Sequence, residues 1–138
     1  MSERREILEV IENVNRGKRF VAVHTSQELT ALCPTTSVPD FYTVKIVYEP
    51  DEYLVELKSL KFYLTSFRNV GIYHEELLNE ILEDLKEVVR PHWIYVELKV
   101  NVRGGIYTTV SRFWSREKGD DIKAALEGPS LYLSEDRL

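Results

Sequence analysis

Residues 93 to 102 read Trp-Ile-Tyr-Val-Glu-Leu-Lys-Val-Asn-Val, and this stretch decides the fold. Apolar side chains occupy every second position and polar ones recur between them, which is the pattern of a strand with one face against a core. The inward side chains are Ile94, Val96, Leu98, Val100 and Val102. Arg103-Gly104-Gly105 then turns the chain into a second strand from Ile106 to Trp114, so the two segments are expected to pair as an antiparallel hairpin.

Three further strands are predicted upstream of this hairpin. The segment from Phe41 to Glu49 alternates in the same way. Pro50 and Asp51 mark a turn into a short strand from Tyr53 to Glu56, which we expect to pair back on the previous strand. A brief strand is also expected from Arg19 to His24.

Between residues 57 and 89 the apolar spacing changes from two to three and four, which predicts two helices. The first begins near Lys58 and ends between Asn69 and Gly71, a sequence typical of a helix C-terminus. The second runs from about Tyr73 to Val89, where Arg90-Pro91 stops it. A further amphipathic helix is predicted from Arg4 to Val14.

Apart from the brief strand at Arg19 to His24, the predicted order is strand, strand, helix, helix, strand, strand. That order defines an α+β fold in which an antiparallel β-sheet carries two helices on one face. We expect a single domain over residues 1–138, with its core at 19–114, an N-terminal helix within 1–18, and an irregular tail at 115–138 with room for one short helix. Long, partly apolar edge strands are a liability in a monomer, so we expect a homo-oligomer whose sheets close into a barrel.

Composition argues against several classes of protein. No run of about 18 apolar residues occurs, and the first residues are charged, so we expect no membrane span, no secretory signal and a cytoplasmic location. The single cysteine cannot form an internal disulfide and is too few for a cysteine-rich zinc site, so no metal is predicted. The formal net charge of −5 argues against a stable nucleic-acid complex, and a small molecule is the expected partner.

The cysteine stands in a loop that reads Leu32-Cys33-Pro34-Thr35-Thr36-Ser37-Val38-Pro39-Asp40. Its two prolines restrict the backbone, so the loop is expected to be ordered and to bring Asp40 back beside Cys33. A thiol and a carboxyl group in contact form a nucleophile and a proton donor. The alternative is a cysteine buried for its apolar character, although such a cysteine belongs on a helix or strand face.

Charged side chains mark the two central helices. Lys58, Lys61 and Arg68 are expected on one side of the first helix, where they form either a solvated face or a strip that binds phosphate. No G-x-G-x-x-G occurs, so a dinucleotide would not be held in the Rossmann manner. At the start of the second helix, Glu75 suits the positive end of the dipole but His74 gains nothing there. Both side chains are therefore candidates to project into a site, with Glu75 binding the amidine edge of a guanine-like base.

Several short motifs follow one another along the chain. They are Leu32-Cys33-Pro34 with Asp40, Glu56-Leu57-Lys58-Ser59-Leu60-Lys61-Phe62-Tyr63, Ser66-Phe67-Arg68-Asn69, His74-Glu75 and Arg103-Gly104-Gly105. Together they resemble the QueF family, the nitrile reductases of queuosine biosynthesis, in its short single-module form. The resemblance covers about residues 31–106 and implies the tunnelling fold (T-fold), whose element order is the one that the periodicity predicts.

The resemblance implies an NADPH-dependent oxidoreductase that reduces 7-cyano-7-deazaguanine (preQ0) to 7-aminomethyl-7-deazaguanine (preQ1). Cys33 is then expected to add to the nitrile carbon as a thiolate and form a covalent thioimide. Asp40 protonates the nitrogen, and His74 assists proton delivery. These three residues are the predicted catalytic group.

The resemblance also implies two binding regions, with sites at the subunit interfaces of a homo-oligomer. The predicted substrate contacts are Val55, Glu56, Leu57, His74 and Glu75. The predicted contacts of the cofactor NADPH are Leu57, Lys58, Arg103 and Gly104, to which the basic strip adds Lys61 and Arg68.

Three alternatives stand beside this interpretation. An archaeal QueF-like amidinotransferase uses a similar cysteine and aspartate to add ammonia to preQ0 already in tRNA, but it is expected to lack the lysine-rich signature. A zinc-dependent GTP cyclohydrolase shares the fold but is expected to need a second cysteine, which this chain does not have. A non-catalytic purine-binding T-fold module would bind the base without an adduct at Cys33.

Overall fold

The computed structural model describes residues 3–126 as an α+β structure built on antiparallel sheets. In chain order the elements are a 3₁₀-helix (Glu3–Ile7), β1 (Val10–Glu12), β2 (Ala22–Leu32), β3 (Pro39–Glu49), β4 (Tyr53–Val55), α1 (Leu57–Thr65), α2 (His74–Val89), β5 (Trp93–Arg103), β6 (Ile106–Ser115), β7 (Gly119–Asp120) and α3 (Ile122–Leu126). Five strands form one sheet in the order β2-β3-β5-β6-β7, while β1 and β4 form a separate pair.

The core lies on the face of the sheet that the alternation predicts. Cross-strand register places Val44 of β3 opposite Leu98 of β5 and Ile46 opposite Val96, and these four side chains are at most 1% exposed. Such apolar cross-strand pairs are what hold two strands in one register, because a slip of one residue would turn every side chain to the other face. Val102, predicted to face inward, is 50% exposed because it lies at the free end of the β5–β6 hairpin.

Both central helices pack on this face. Glu56 begins α1, because its carboxylate accepts the backbone N–H groups of Lys58 and Ser59, both at 2.8 Å. Arg90 ends α2 in the left-handed conformation, with φ at 53°. The helix predicted from Tyr73 to Val89 is confirmed, whereas α1 ends at Thr65, before the predicted stop, so Arg68 lies in the following turn rather than on the helix.

Two predictions that concern β1 and its partner strand β4 are wrong. The helix predicted from Arg4 to Val14 is a single 3₁₀ segment that ends at Ile7, after which Val10–Glu12 forms a strand. The strand at Tyr53–Val55 does not pair back on β3 but on β1, with Ile11 opposite Leu54. Both edges of β3 are already occupied by β2 and β5, so the returning strand must find another partner.

The strand predicted from Arg19 to His24 is longer and shifted, since β2 runs to Leu32. A bulge between Ser26 and Leu29 interrupts its alternation, which hides the strand from a search for period two. The predicted irregular tail contains the short β7 and α3, and its residues 127–138 lie outside the described part.

Within residues 3–126, β2 has a ladder partner on one side only, apart from a bridge between Leu32 and Gly71. On the other side of the sheet, β7 covers β6 at Trp114 and Ser115 alone. Within the same residues, no helix is both long enough and apolar enough to cross a membrane.

Candidate active site

The loop between β2 and β3 is closed by its own backbone. The N–H of Cys33 donates to the carbonyl of Val38 at 2.9 Å, and the N–H of Ser37 donates to the carbonyl of Cys33 at 2.8 Å. Ser37 adopts a positive φ of 62°, which completes the turn. The next pair of the ladder sets Ala31 opposite Asp40, so the carboxylate lies at the end of the sheet that carries the thiol.

Three donors surround the Cys33 sulfur. They are the Thr36 hydroxyl and the backbone N–H groups of Thr36 and Thr35, and together they lower the pKa of Cys33 below that of an ordinary thiol. Burial and the charge of Asp40 act in the opposite direction but are smaller. Since the thiolate is the nucleophilic form, this loop favours a reactive cysteine.

Asp40 is 4% exposed and is contacted from the neighbouring strand β5, at the same end of the sheet. Arg103, the last residue of β5, places its Nε 3.3 Å from the Asp40 carboxylate and also donates to the carbonyl of Pro39. The sequence predicted Arg103 as a cofactor contact, whereas the structure places it against the predicted proton donor. Gly104 follows it in the exposed β5–β6 turn, with a positive φ of 56°.

His74 reaches the same end of the molecule through a backbone bridge. Leu32, next to Cys33, donates its N–H to the carbonyl of Val70 at 2.9 Å and accepts the N–H of Ile72 at 3.0 Å. This junction sets the first turn of α2 beside the cysteine loop. Glu75, the next residue, is exposed.

Tyr42 is a residue of this group that the sequence analysis did not single out. Its hydroxyl oxygen lies 2.7 Å from Nδ1 of His74, and the two rings meet edge to face with centroids 5.5 Å apart. Burial, together with the charges of Asp40, Cys33 and Glu75, raises the pKa of Tyr42. The available signal was its position two residues after Asp40, because alternate residues of a strand share a face.

A second group of predicted residues surrounds the start of α1. A cavity of 280 Å³ between β2 and α1 is lined by His24, Leu57 and Lys61, among others. A neighbouring cavity of 450 Å³ shares His24 and Leu57 and adds Val55 and Glu56. Leu57 is 57% exposed and lies at both cavities, and His24 lines both as well.

The structure does not bring the two groups together within one chain. The hydroxyl of Tyr48 accepts the N–H of Val55 at 3.1 Å, so the second group is anchored near the end of β3. Asp40 lies eight residues before Tyr48, which corresponds to about 26 Å of strand. Lys58 is exposed at the start of α1, and Arg68 is exposed beyond its end.

Across residues 3–126 there is no cluster of three or more His, Cys, Asp or Glu side chains that could bind a metal ion.

An antiparallel sheet with two helices on one face, and a cysteine and an aspartate at the loop between its first long strands, defines an α+β T-fold protein. The sequence model of the QueF-like protein family matches residues 39–119, more than half of the chain. The chain belongs to the QueF family.

Several curated relatives are named NADPH-dependent 7-cyano-7-deazaguanine reductase. The protein from Chlorobium phaeobacteroides is 44% identical over 83% of this chain and 99% of its own length. The protein from Alkalilimnicola ehrlichii is 48% identical over 75% of this chain and 80% of its own. Among solved structures, the crystal structure of the archaeosine synthase QueF-Like in the apo form matches with a TM-score of 0.64 and 25% identity, over 67% of this chain and 91% of that one.

Proposed function

We propose that this protein reduces the nitrile of preQ0 to the aminomethyl group of preQ1 with NADPH as reductant. The observation that carries the proposal is the environment of Cys33, a thiol among three hydrogen-bond donors at the end of the sheet that also holds Asp40. Relatives that are 41–48% identical are named for this activity.

The first step uses the chain's own residues. The Cys33 thiolate adds to the nitrile carbon, a weak electrophile, and forms a carbon–sulfur bond as one π bond of the nitrile breaks. Asp40 passes the proton that the Cys33 thiol released to the nitrogen, so the product is a neutral thioimide. Without this proton the nitrogen would carry a full negative charge.

NADPH supplies a hydride for each of the two reductions that convert the nitrile to the amine. Cys33 keeps the carbon attached during the first reduction and leaves as a thiolate afterwards, which regenerates the nucleophile. Covalent attachment also keeps the half-reduced carbon away from water. His74 assists proton delivery to the nitrogen, and Glu75 binds the guanine-like edge of the base.

We further propose that each complete site forms between two copies of the chain. Val55, Glu56 and Leu57 are expected to contact the substrate, yet they lie about 26 Å along β3 from Asp40 in one copy. A neighbouring copy that pairs with the open edge of β2 would bring its own residues to the Cys33 loop. A homo-oligomer therefore solves both the edge problem and the separation.

The start of α1 fits the phosphates of the cofactor. Within residues 3–126, neither Lys58 nor Lys61 forms a salt bridge with a carboxylate, and Lys61 faces the 280 Å³ cavity together with Leu57. An ammonium group beside a cavity suits a phosphate-bearing ligand, and among these two lysines it is Lys61 that lines one. Arg68 and Gly104 remain further candidate contacts, while Arg103 must leave Asp40 if it is to bind the cofactor.

A second candidate is the addition of ammonia to preQ0 in tRNA, because a crystal structure named as an archaeosine synthase shares the fold at 25% identity. The net charge of −5 is unfavourable for a tRNA substrate. The two functions differ in whether NADPH is consumed.

The test combines intact mass with nicotinamide absorbance. Purified protein mixed with preQ0 should gain the mass of one nitrile molecule, and added NADPH should be oxidised as that adduct disappears. Cys33→Ala should lose the adduct and lower turnover by at least about a thousandfold, with the melting temperature unchanged. An adduct without NADPH oxidation would favour the ammonia-adding alternative, and a nitrile that binds without any adduct would indicate a binding module.

A further inference from the structure

We infer that Tyr42 is a positioning residue that holds His74 by its Nδ1 atom and thereby presents Nε2 as the atom through which His74 transfers protons. This inference rests on the proposed function for its catalytic consequence. The contact itself is a property of the folded chain and is testable without substrate.

The contact between Tyr42 and His74 is short, and each residue is held in place by the element that carries it. The Tyr42 hydroxyl oxygen lies 2.7 Å from His74 Nδ1, within the range of a strong hydrogen bond. Tyr42 is 2% exposed on β3, in register with Val100 of β5 and Leu29 of β2. His74 begins α2, whose entry is held by the bridge at Leu32. Neither ring can move far without disturbing the sheet or the helix.

The geometry assigns different roles to the two imidazole nitrogens. Nδ1 is occupied by Tyr42, and Nε2 lies on the opposite side of the ring. Because the edge-to-face packing at 76° limits rotation of the ring, the ring keeps this orientation. A histidine acts as a directed acid or base when the hydrogen bond at one nitrogen fixes its tautomer and its plane.

A tyrosine hydroxyl suits both protonation states of the histidine. Its oxygen accepts from Nδ1–H both when the ring is charged and when the ring is neutral with its lone pair on Nε2. The phenol itself stays protonated, since burial and the charges of Asp40, Cys33 and Glu75 raise its pKa, opposed by the nearby charge of Arg103. The hydrogen bond therefore persists while Nε2 gains or loses a proton.

The variant that isolates this contact is Tyr42→Phe, which removes one oxygen and keeps the ring that packs in the core. Long-range proton–nitrogen correlation of the histidine rings gives the first readout, with the signals assigned through His74→Gln. In the wild-type protein His74 should show one fixed tautomer. In Tyr42→Phe its two nitrogen shifts should move toward the averaged values of a free imidazole. A wild-type His74 that already averages its tautomers would overturn the inference without any variant.

The second readout is kinetic. Tyr42→Phe should still form the Cys33 adduct and should keep the preQ0 KM within about twofold, but its kcat should fall about tenfold, the scale of one hydrogen bond lost at a working group. The double variant Tyr42→Phe/His74→Gln should be no slower than His74→Gln alone, because Tyr42 acts only through His74. Additive losses, or an unchanged kcat beside altered nitrogen shifts, would contradict the assignment.

The matched control is Tyr95→Phe. Tyr95 is also a buried tyrosine, 4% exposed on neighbouring β5, and its hydroxyl donates to Glu97 at 3.0 Å. Its loss should leave the His74 signals and kcat unchanged, so that an effect of the same size in this variant would reduce Tyr42 to a structural residue. If no variant of the protein reduces preQ0, the proposed function fails, while the nitrogen shifts still decide the position of His74.

Discussion

Carboxylates lie at both ends of β3, but the two ends differ in the number of cations that contact them. Asp51, just beyond the carboxyl end, receives Arg16 at 3.1 Å and Arg116 at 2.8 Å, and Glu49 pairs with Arg19. Within residues 3–126, Asp40, near the amino end, has a single arginine partner, Arg103, whose Nε is 3.3 Å away. One end of the strand surrounds its acids with cations, and the other leaves its acid close to a thiol.

The difference separates structure from chemistry. The arginines at Asp51 lower the pKa of that carboxyl group and tie β3 to residues 16 and 116, far apart in sequence. At the other end the charge of Asp40 reaches both Cys33 and Tyr42 and acts to raise the pKa of each. The residues at the amino end of β3 are therefore the ones that fit a reaction with proton transfers.

Among the changes that test this comparison, Asp40→Asn has the largest expected effect. It should lower turnover about a hundredfold, because the thioimide nitrogen loses its proton donor. The free energy of unfolding should change by less than about 1 kcal/mol, because the partner Arg103 is nearly half exposed and stays solvated. Steady-state kinetics and urea denaturation measure both. Turnover that stays within a few-fold of wild type would remove the proton-donor role from Asp40.

Asp51→Asn should give the reverse result. It should lower the free energy of unfolding by about 2 kcal/mol, since hydrogen bonds to two charged groups are lost, and turnover should stay within about twofold. The carboxylate's contribution has a pH signature. Because the pKa of Asp51 is lowered in the folded state, its contribution is complete above the unfolded value, near 4, and is lost as pH falls through the folded value.

Urea denaturation of the wild type and Asp51→Asn across this range tests that signature. The difference in stability should shrink as the pH falls below about 4. A difference that grew below about pH 4 would show that Asp51 is not stabilised as a carboxylate.

The smallest expected effect is that of Thr36→Val. Loss of the hydroxyl donor should raise the pKa of Cys33 and slow adduct formation at neutral pH by about threefold, and the rate should recover as the pH rises. Thr35→Val is the matched control, because the Thr35 hydroxyl bonds Tyr73 at 2.8 Å while its backbone N–H still serves Cys33. Equal slowing in both variants would place the effect in loop packing rather than in the thiolate.

The sequence predicts those parts of the fold that local periodicity controls. Alternation locates β3, β5 and β6, and the three-to-four spacing locates α2 almost to the residue. Periodicity does not predict an element correctly where strand pairing with a distant part of the chain decides its conformation. The spacing of Ile7, Leu8, Ile11 and Val14 fits a helix, but β4 offers the segment an unpaired edge and draws Val10–Glu12 into a strand.

The candidate site shows the same limit. The Cys33 loop is visible because two prolines and several hydroxyl residues lie close in sequence. The contact between Tyr42 and His74 joins residues 32 positions apart, and a tyrosine on the inward face of a strand is indistinguishable from core. Arg103 is 63 positions from Asp40, and only the length of β5 decides that its side chain arrives there.

The bridge between Leu32 and Gly71 makes the geometry of the site observable through hydrogen exchange. Two amides, those of Leu32 and Ile72, hold the cysteine loop against the entry to α2, at 2.9 and 3.0 Å. Opening these two bonds separates Cys33 from His74 while the core strands stay paired, so the amides exchange through a local fluctuation rather than through global unfolding. Their protection factors therefore measure how much of the time the nucleophile and the imidazole are correctly placed.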